Sequence, residues 1–330
     1  MDHGAFHPKS LTISVVSPVF NNAGSVSELI DRTVAIRNAK FPNYQLEIVL
    51  VDDSSSDDSV NEIKSRLTHE YFGVKLRLLR LSRNFGQVSA IVAGLTVCEG
   101  EACVVISADL QDPPELIAQL VDRWEAGSEV VIAARQERND GLISTVFSRV
   151  SYSVARRRYK EMPRGGFDYF LLSRRAKDQF VAKPGRKRFL QGEVFELGLA
   201  RSIFPYERLS RTAGKSQWRF WKRVEYFIDL VLASTNVPMR AATLLGFSSV
   251  VASMIYGLVV LASRVFGEVP GGGWTPIVLL TLFFGGLTVF LLGLIGEYIW
   301  RIYEETSGRR QFLIESESSS RSDPKLDENL

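Results

Sequence analysis

Between Thr12 and Asp109, four short apolar runs each stop at a cluster of polar side chains, and this repeat restricts the fold more than any other feature of the chain. Thr12–Val19 is closed by Asn21-Asn22-Ala23-Gly24, and Leu46–Val51 by Asp52-Asp53-Ser54. Lys75–Leu81 is closed by Ser82-Arg83-Asn84, and Val104–Ile106 by Asp109, Gln111 and Asp112. Runs so rich in Val, Ile and Leu suit strands covered on both faces. Segments of helical length separate them: Ser25 to about Asn38, a stretch ending near Leu67, Val88 to Cys98, and Pro114 to Glu125 before a fifth run at Glu129–Ala134. The alternation predicts an α/β fold with a Rossmann-like, mainly parallel sheet and helices on both faces. Ligands of such sheets bind beyond the carboxyl ends of the strands, where all four polar clusters fall.

Two helix starts carry local signals. Ser25 with Glu28 three residues on has the capping-box pattern. Pro113 and Pro114 suit a first helical turn, and Glu115 complements its positive end. The oxygens of Asp109, Gln111 and Asp112 suit a hard divalent cation, which phosphate-handling enzymes commonly need, and a loop of solvated acids is their other reading. The glycine-rich dinucleotide and phosphate-loop motifs are absent. A nucleotide here would therefore rely on carboxylates for base and ribose, with a metal for its diphosphate. Asp52 or Asp53 can accept from base N–H or ribose hydroxyls; helix capping is their other use, and Ser54 to Asp58 can supply that. Asp168 stands alone among apolar residues after Gly165-Gly166, as a cap or facing a substrate.

The net charge of +3 hides an uneven distribution, because Arg149–Arg223 holds 20 Lys/Arg against 6 Asp/Glu. Such a block calls for anionic partners, and its place beside two long apolar segments favours phosphate and lipid over nucleic acid. Leu142–Tyr159 reads as a helix carrying Arg156-Arg157-Arg158. Cys98 and Cys103 lack metal or disulfide-framework spacing and read as buried small residues. The first residues have no apolar core and are not read as a signal peptide.

Gln217–Leu232 interleaves Trp218, Phe220, Trp221 and Tyr226 with Arg219, Lys222 and Arg223, the make-up of a helix in a membrane interface. Ala241–Ser263 then runs 23 residues without a charge, and Ile277–Gly296 another 20. Both exceed the roughly 18 apolar residues that mark a spanning segment. The connecting loop, Arg264–Pro276, has one basic residue, whereas Arg219, Lys222, Arg223, Arg240, Arg301, Arg309 and Arg310 lie on the outer flanks. The positive-inside rule places both flanks in the cytoplasm, with Trp274 and Trp300 at opposite interfaces. The expected organisation is a cytoplasmic catalytic domain over 1–214 and an interfacial helix over 215–240. Two transmembrane helices (about 241–263 and 277–300) and a Ser- and acid-rich, disordered cytoplasmic tail over 301–330 complete it. Gly285, Gly286, Gly293 and Gly296 permit close helix packing and hence a homo-oligomer.

Six motifs in order, Ser17-Pro-Val-Phe-Asn-Asn22, Glu47–Ser54, Ser82-Arg-Asn-Phe-Gly-Gln87, Ala108–Glu115, Gly166-Phe-Asp168 and Arg211-x-x-Gly-x-Ser216, resemble family 2 glycosyltransferases of the GT-A fold over about the first 235 residues. With the hairpin, the whole chain is similar to polyprenyl-phosphate (bactoprenol) glucosyltransferases, relatives of dolichol-phosphate mannosyltransferase. The resemblance implies a UDP-sugar donor, a polyprenyl-phosphate acceptor, a lipid bilayer, and Mg²⁺ or Mn²⁺ on Asp109 with Gln111. It implies that Pro18, Phe20, Asn22, Asp52, Asp53, Arg83 and Asn84 line the nucleotide-sugar site. Arg135, Arg211 and Lys215 would meet phosphates, and Asp109, Arg135 and Asp168 would serve the reaction. Two positions depart from the family pattern: Ser107 replaces the first Asp of D-x-D, and Gln217 replaces the Lys of G-x-S-K. The alternatives are mannosyl or aminoarabinosyl transfer, a processive synthase (the Q-x-x-R-W spacing is missing) and a non-catalytic nucleotide-sugar sensor.

Overall fold

The computed structural model describes residues 11–135, 159, 161–163, 166–183, 185, 188–208, 237–265, 274–306 and 311–320. The chain divides into two compact units, Met1–Leu230 with Arg310–Leu330, and Val231–Arg309. The expected helix over 142–159 (Tyr159 apart), the expected interfacial helix as far as residue 236, Arg211, Lys215 and Gln217 lie outside the described residues.

In the first unit the expected strands and helices alternate: β1 (Thr12–Val19), α1 (Val26–Lys40), β2 (Gln45–Asp52), α2 (Ser59–Leu67), β3 (Val74–Leu81), α3 (Gln87–Val97), β4 (Ala102–Val105), α4 (Leu116–Glu125) and β5 (Val130–Arg135). Then follow β6 (Tyr169–Ser173), α5 (Arg174–Ala182), α6 (Leu190–Glu196) and β7 (Arg201–Tyr206). The sheet runs β7-β5-β6-β4-β1-β2-β3-β8, with β8 at Ile314–Ser319. Pairing is parallel for β4-β1, β1-β2, β2-β3 and β5-β7, and antiparallel where β6 meets β4 and β5 and where β8 meets β3. The expectation of a mainly parallel sheet holds for its centre.

Two apolar layers flank this sheet, as period-2 alternation in strands buried on both faces requires. Val15, Ile48, Leu78 and Val104 face one layer with Leu29, Ile63 and Leu120 of α1, α2 and α4. Val16, Val49, Leu79 and Val105 face the other with Ile91 and Leu95 of α3. Helix α3 lies so close to the sheet that a Cβ on Gly94 would stand 2.3 Å from Val16 Cγ1, so only glycine fits there. Cys98 and Cys103 are buried and unbridged, as expected of small apolar residues.

Three expectations are corrected. The capping box at Ser25 does not form, because its buried hydroxyl reaches the Ala108 carbonyl (2.8 Å) and the Asn22 carbonyl (3.0 Å), while Glu28 pairs with Arg32. Pro113 and Pro114 make the turn before α4, whose first residue is Leu116, as their carbonyls accept from the Leu116 and Ile117 amides. Part of the tail expected to be disordered instead closes the sheet edge as β8. There Glu317 meets Arg77, a buried cation shared with buried Glu47, and Ser320 pairs with both backbone groups of Leu76. Acid and serine composition signals weak self-burial; a partner strand and a buried arginine overrule it.

In the second unit α7 spans Val237–Val265 and α8 spans Trp274–Thr306. Among the described residues, α8 alone is long and apolar enough to cross a membrane, over Phe283–Trp300, and none of that stretch is buried inside the protein. The apolar stretch of α7, Leu244–Val259, is shorter than 18 residues.

Candidate active site

The topology collects the polar clusters along one sheet edge. The carboxyl ends of β4, β1, β2 and β3 lie side by side there. Because β6 is antiparallel to both neighbours, Asp168 just before it shares the edge with Arg135 and Tyr206, the paired last residues of β5 and β7. The chain steps β1→β2→β3 in one direction and then returns to place β4 on the other side of β1. The crevice at β1/β4 is thus a topological switch point, the usual ligand position in such sheets. Ser25 and Ala108 are bonded across it.

Three non-glycine residues, Asn21, Ser54 and Leu110, have φ of 53°, 63° and 56°, and all three sit in loops at this edge. Left-handed backbone costs about 1–3 kcal/mol per residue and persists where neighbours over-determine it. At Asn21 and Ser54 the neighbours are two stapled loops. The amides of Asn21, Asn22, Ala23 and Gly24 donate to Ser55 Oγ, Ser59 Oγ, Asp57 and Glu62, and Asn21 Oδ1 accepts from the Ser56 amide. Asn22 spends its own Oδ1 on the Phe20 amide (2.9 Å), so that oxygen is turned onto its loop. Pro18 and Phe20 are half-buried beside it.

Asp52 and Asp53 are both buried and both act on neighbouring backbone. Asp52 accepts from the Ser55 amide (3.0 Å) and lies 3.4 Å from Arg80 Nε. Asp53 accepts from the amides of Phe85 (2.7 Å) and Gly86 (2.8 Å), one on each oxygen, which fixes the loop after β3. Burial raises the Asp53 carboxyl above its ordinary value; the two amides oppose this, and nearby Asp52 adds to it. Arg83 and Asn84 are exposed on the loop so held, with the Arg83 guanidinium 4.5 Å above the Phe85 ring.

Across the crevice a chain of alternating charge links four strand ends. Asp109 is half-buried, and its Oδ1 accepts from the Gln111 amide (3.2 Å). Left-handed Leu110 lies between these two residues. Arg208 Nη2 stands 3.9 Å from Asp109 Oδ2, and Arg208 Nε donates to Asp112 Oδ1 at 3.1 Å. Asp112 is fully buried and also accepts the Tyr206 hydroxyl (2.5 Å). Arg135 bonds Asp168, whose other oxygen faces Gln191 Nε2 at 3.4 Å. Burial pushes the Asp168 carboxyl up, but Arg135, Arg208 and Gln191 more than offset this and hold it below the usual carboxylate range. Burial and Asp112 push the Tyr206 phenol up, so it stays protonated.

Asp109 and Gln111 lie at the edge that the sequence pattern pointed to, and the fold brings Arg135 and Asp168 to the same edge. Asp112, read from the sequence only as part of the oxygen cluster, joins the network as an anchor for Arg208, and Gln191, Tyr206 and Arg208 join it without having been singled out as site residues. For Asp112 the sequence did carry a signal, its place in the oxygen cluster with Asp109; for Gln191, inside a helix, it carried none.

The comparisons with known proteins agree with this geometry. Residues 14–182 match the glycosyl transferase family 2 domain. The chain belongs to that family. The transferase is 31% identical to the bactoprenol glucosyl transferase of Shigella phage SfX, over 93% of this chain and 99% of the relative. It is also 31% identical to the putative glycosyltransferase CsbB of Bacillus subtilis (strain 168), over 92% and 91%. Among solved structures, glucosyl-3-phosphoglycerate synthase from Mycobacterium tuberculosis with Mn²⁺ and UDP-glucose shares the fold at TM-score 0.52 and 16% identity, covering 68% of the transferase and 79% of that chain.

The donor set fits a divalent cation that the substrate helps to hold. Among the described residues no three acidic, His or Cys side chains converge as a self-sufficient metal cage. Asp109 is half-buried at the crevice, and Asp112 has a buried Oδ2 without a hydrogen-bond partner. Mg²⁺ in particular is usually held by one or two carboxylates together with substrate phosphates.

Proposed function

We propose that the transferase moves glucose from UDP-glucose onto a polyprenyl phosphate, with inversion, at the cytoplasmic face of a membrane. The observation that carries this reading is the near end-to-end similarity to the phage bactoprenol glucosyl transferase, which extends past the catalytic unit. The reaction forms a bond from an acceptor phosphate oxygen to the anomeric carbon and breaks the bond from that carbon to the diphosphate, releasing UDP. Attack opposite the leaving group turns an α-linked donor into a β-linked product.

A phosphate nucleophile is already anionic near neutral pH, with a second pKa of about 6. A strong base is therefore unnecessary, and the residues mainly manage charge. Asp109, with Gln111, would hold Mg²⁺ or Mn²⁺, which when bound neutralises the leaving diphosphate. Asp53 holds the loop of Arg83 and Asn84 beside the nucleotide, with Pro18, Phe20, Asn22 and Asp52 on the adjoining loops. Arg135 holds ionised Asp168 at the sugar or acceptor side. Arg211 and Lys215 are assigned to phosphate, and their basic segment would draw the acceptor head group to the crevice.

We read α7 and α8 as a spanning hairpin, with the catalytic unit and both termini cytoplasmic, from the basic residues outside the hairpin and their near absence from the connecting loop. The glycines of α8 would admit a neighbouring copy. The test is transfer by the purified full-length chain in nanodiscs containing undecaprenyl phosphate, against a panel of UDP- and GDP-sugars. One glucose per lipid with UDP released is the expected product. A polymer, a preference for GDP-mannose, or no transfer from any donor would each refute the reading.

A further inference from the structure

Arg208 is held in a way that leaves half of it unused. Its Nε donates to Asp112, and its Nη2 lies in ion-pair range of Asp109, too far for a hydrogen bond. Neither Nη makes a hydrogen bond to any of the described residues. A guanidinium presents five N–H groups in a rigid fork, so anchoring it through Nε leaves the Nη edge for a two-point contact with an oxyanion.

The anchor is costly. Asp112 is fully buried, accepts twice on Oδ1 from Tyr206 and Arg208, and has an Oδ2 without a hydrogen-bond partner. A buried carboxylate of this kind is a poor source of stability unless its position serves something else. Tyr206 ends β7, and Asp112 follows the strained Asp109-Leu110-Gln111 turn, so both ends of the mount are fixed to the sheet edge.

We propose that Asp112 and Arg208 form a diphosphate-binding unit. Arg208 contacts the diphosphate of a nucleotide through its Nη edge, beside Asp109, and Asp112 with Tyr206 positions it. Without donor, Arg208 balances the charge of Asp109 and Asp112; with donor, its outer edge transfers to phosphate oxygens. The inference rests on the reading of the protein as a nucleotide-sugar transferase and adds a phosphate contact to Arg135, Arg211 and Lys215.

The experiment measures binding of UDP with Mn²⁺, and of uridine by displacement, to the full-length protein in detergent. Arg208→Gln is expected to weaken UDP at least tenfold and leave uridine unchanged, with Arg208→Lys intermediate. Asp112→Asn should cause a similar loss, and the double variant should lose no more than the worse single one, the mark of residues acting as a unit. A thermal midpoint of Arg208→Lys close to wild type excludes misfolding as the cause. Unchanged UDP affinity in Arg208→Gln, or equal losses for UDP and uridine, overturns the unit. If wild type binds neither UDP nor GDP, the functional reading falls and the inference with it. If wild type transfers glucose and Arg208→Gln still binds UDP normally, the inference alone falls.

Discussion

Asp53 offers the sharpest separation between holding a loop and touching a nucleotide. Its two oxygens each accept one backbone amide, from Phe85 and Gly86, and its side chain is almost completely buried. Asp53→Ala removes both acceptors. An amide left without a partner costs about 1–3 kcal/mol. Part of this is recovered, because the exposed loop can relax toward water and Asp52 loses a like-charged neighbour. A net loss of about 2 kcal/mol follows, and at roughly 2–4 °C per kcal/mol for a unit of this size the midpoint falls by about 4–8 °C. Asp53→Asn keeps one acceptor but sets an amide donor against a backbone donor, so it should lie between the two.

The pH dependence gives a second handle. The folded-state value of Asp53 is raised above the ordinary 3.8, so the folded chain binds this proton more tightly than the unfolded one. Its contribution is full below the unfolded value and is lost as pH rises through the folded value. Asp53→Asn does not titrate there, so its deficit should be widest in acid and narrow toward neutral pH. Thermal unfolding of the purified chain from pH 4 to 8, with hydrogen exchange at Phe85 and Gly86, measures both effects. Wild-type exchange at these two amides in Asp53→Ala, with an unchanged midpoint, would refute the assignment.

Asp109→Ala should cut transfer by about 100-fold or more while the fold is kept, since it removes a charged group at the developing diphosphate; near-normal turnover with saturating Mn²⁺ would remove the metal assignment. Asp168 is held below the usual carboxylate range by Arg135, Arg208 and Gln191 despite its burial. Its stabilising contribution is therefore present above the unfolded value and lost only as pH falls through the lower folded one. Asp168→Asn should accordingly lower kcat without moving the acidic limb of the rate profile. That limb belongs to the acceptor phosphate near pH 6, and its displacement in the variant would contradict this. Glu317→Gln should cost under about 1 kcal/mol in thermal unfolding, because Glu317 is 44% exposed and Arg77 keeps Glu47. Deleting residues 311–330 also removes the Leu313 carbonyl from the Ser82 amide at the root of the Arg83 loop, and should raise the donor KM several-fold; an unchanged KM would separate the tail from the donor site.

From β1 to β5 the order of elements was legible because strands buried on both faces are written as largely apolar runs, as at Thr12–Val19 and Leu46–Val51, whereas α5, α6, β7 and β8 were not foreseen. The edge that carries the site followed from the same pattern, since polar residues collect where buried strands reach solvent. Sequence therefore determined the layers and the sheet edge to which Asp109 and the other polar clusters come, while it left Asp168 open between a cap and a substrate-facing group. It misjudged what depends on a distant partner. Ser25 has every local reason to cap α1, yet its hydroxyl reaches a carbonyl 83 residues away. The tail is too polar to fold alone, yet it becomes a strand because β3 offers an unpaired edge and Arg77 a buried positive charge. Asp112 and Arg208 lie 96 residues apart, and no spacing rule joins them. Only the return of β7 beside β5 brings Arg208 to that carboxylate, because the energy of a buried ion pair is set by distance in space and not along the chain.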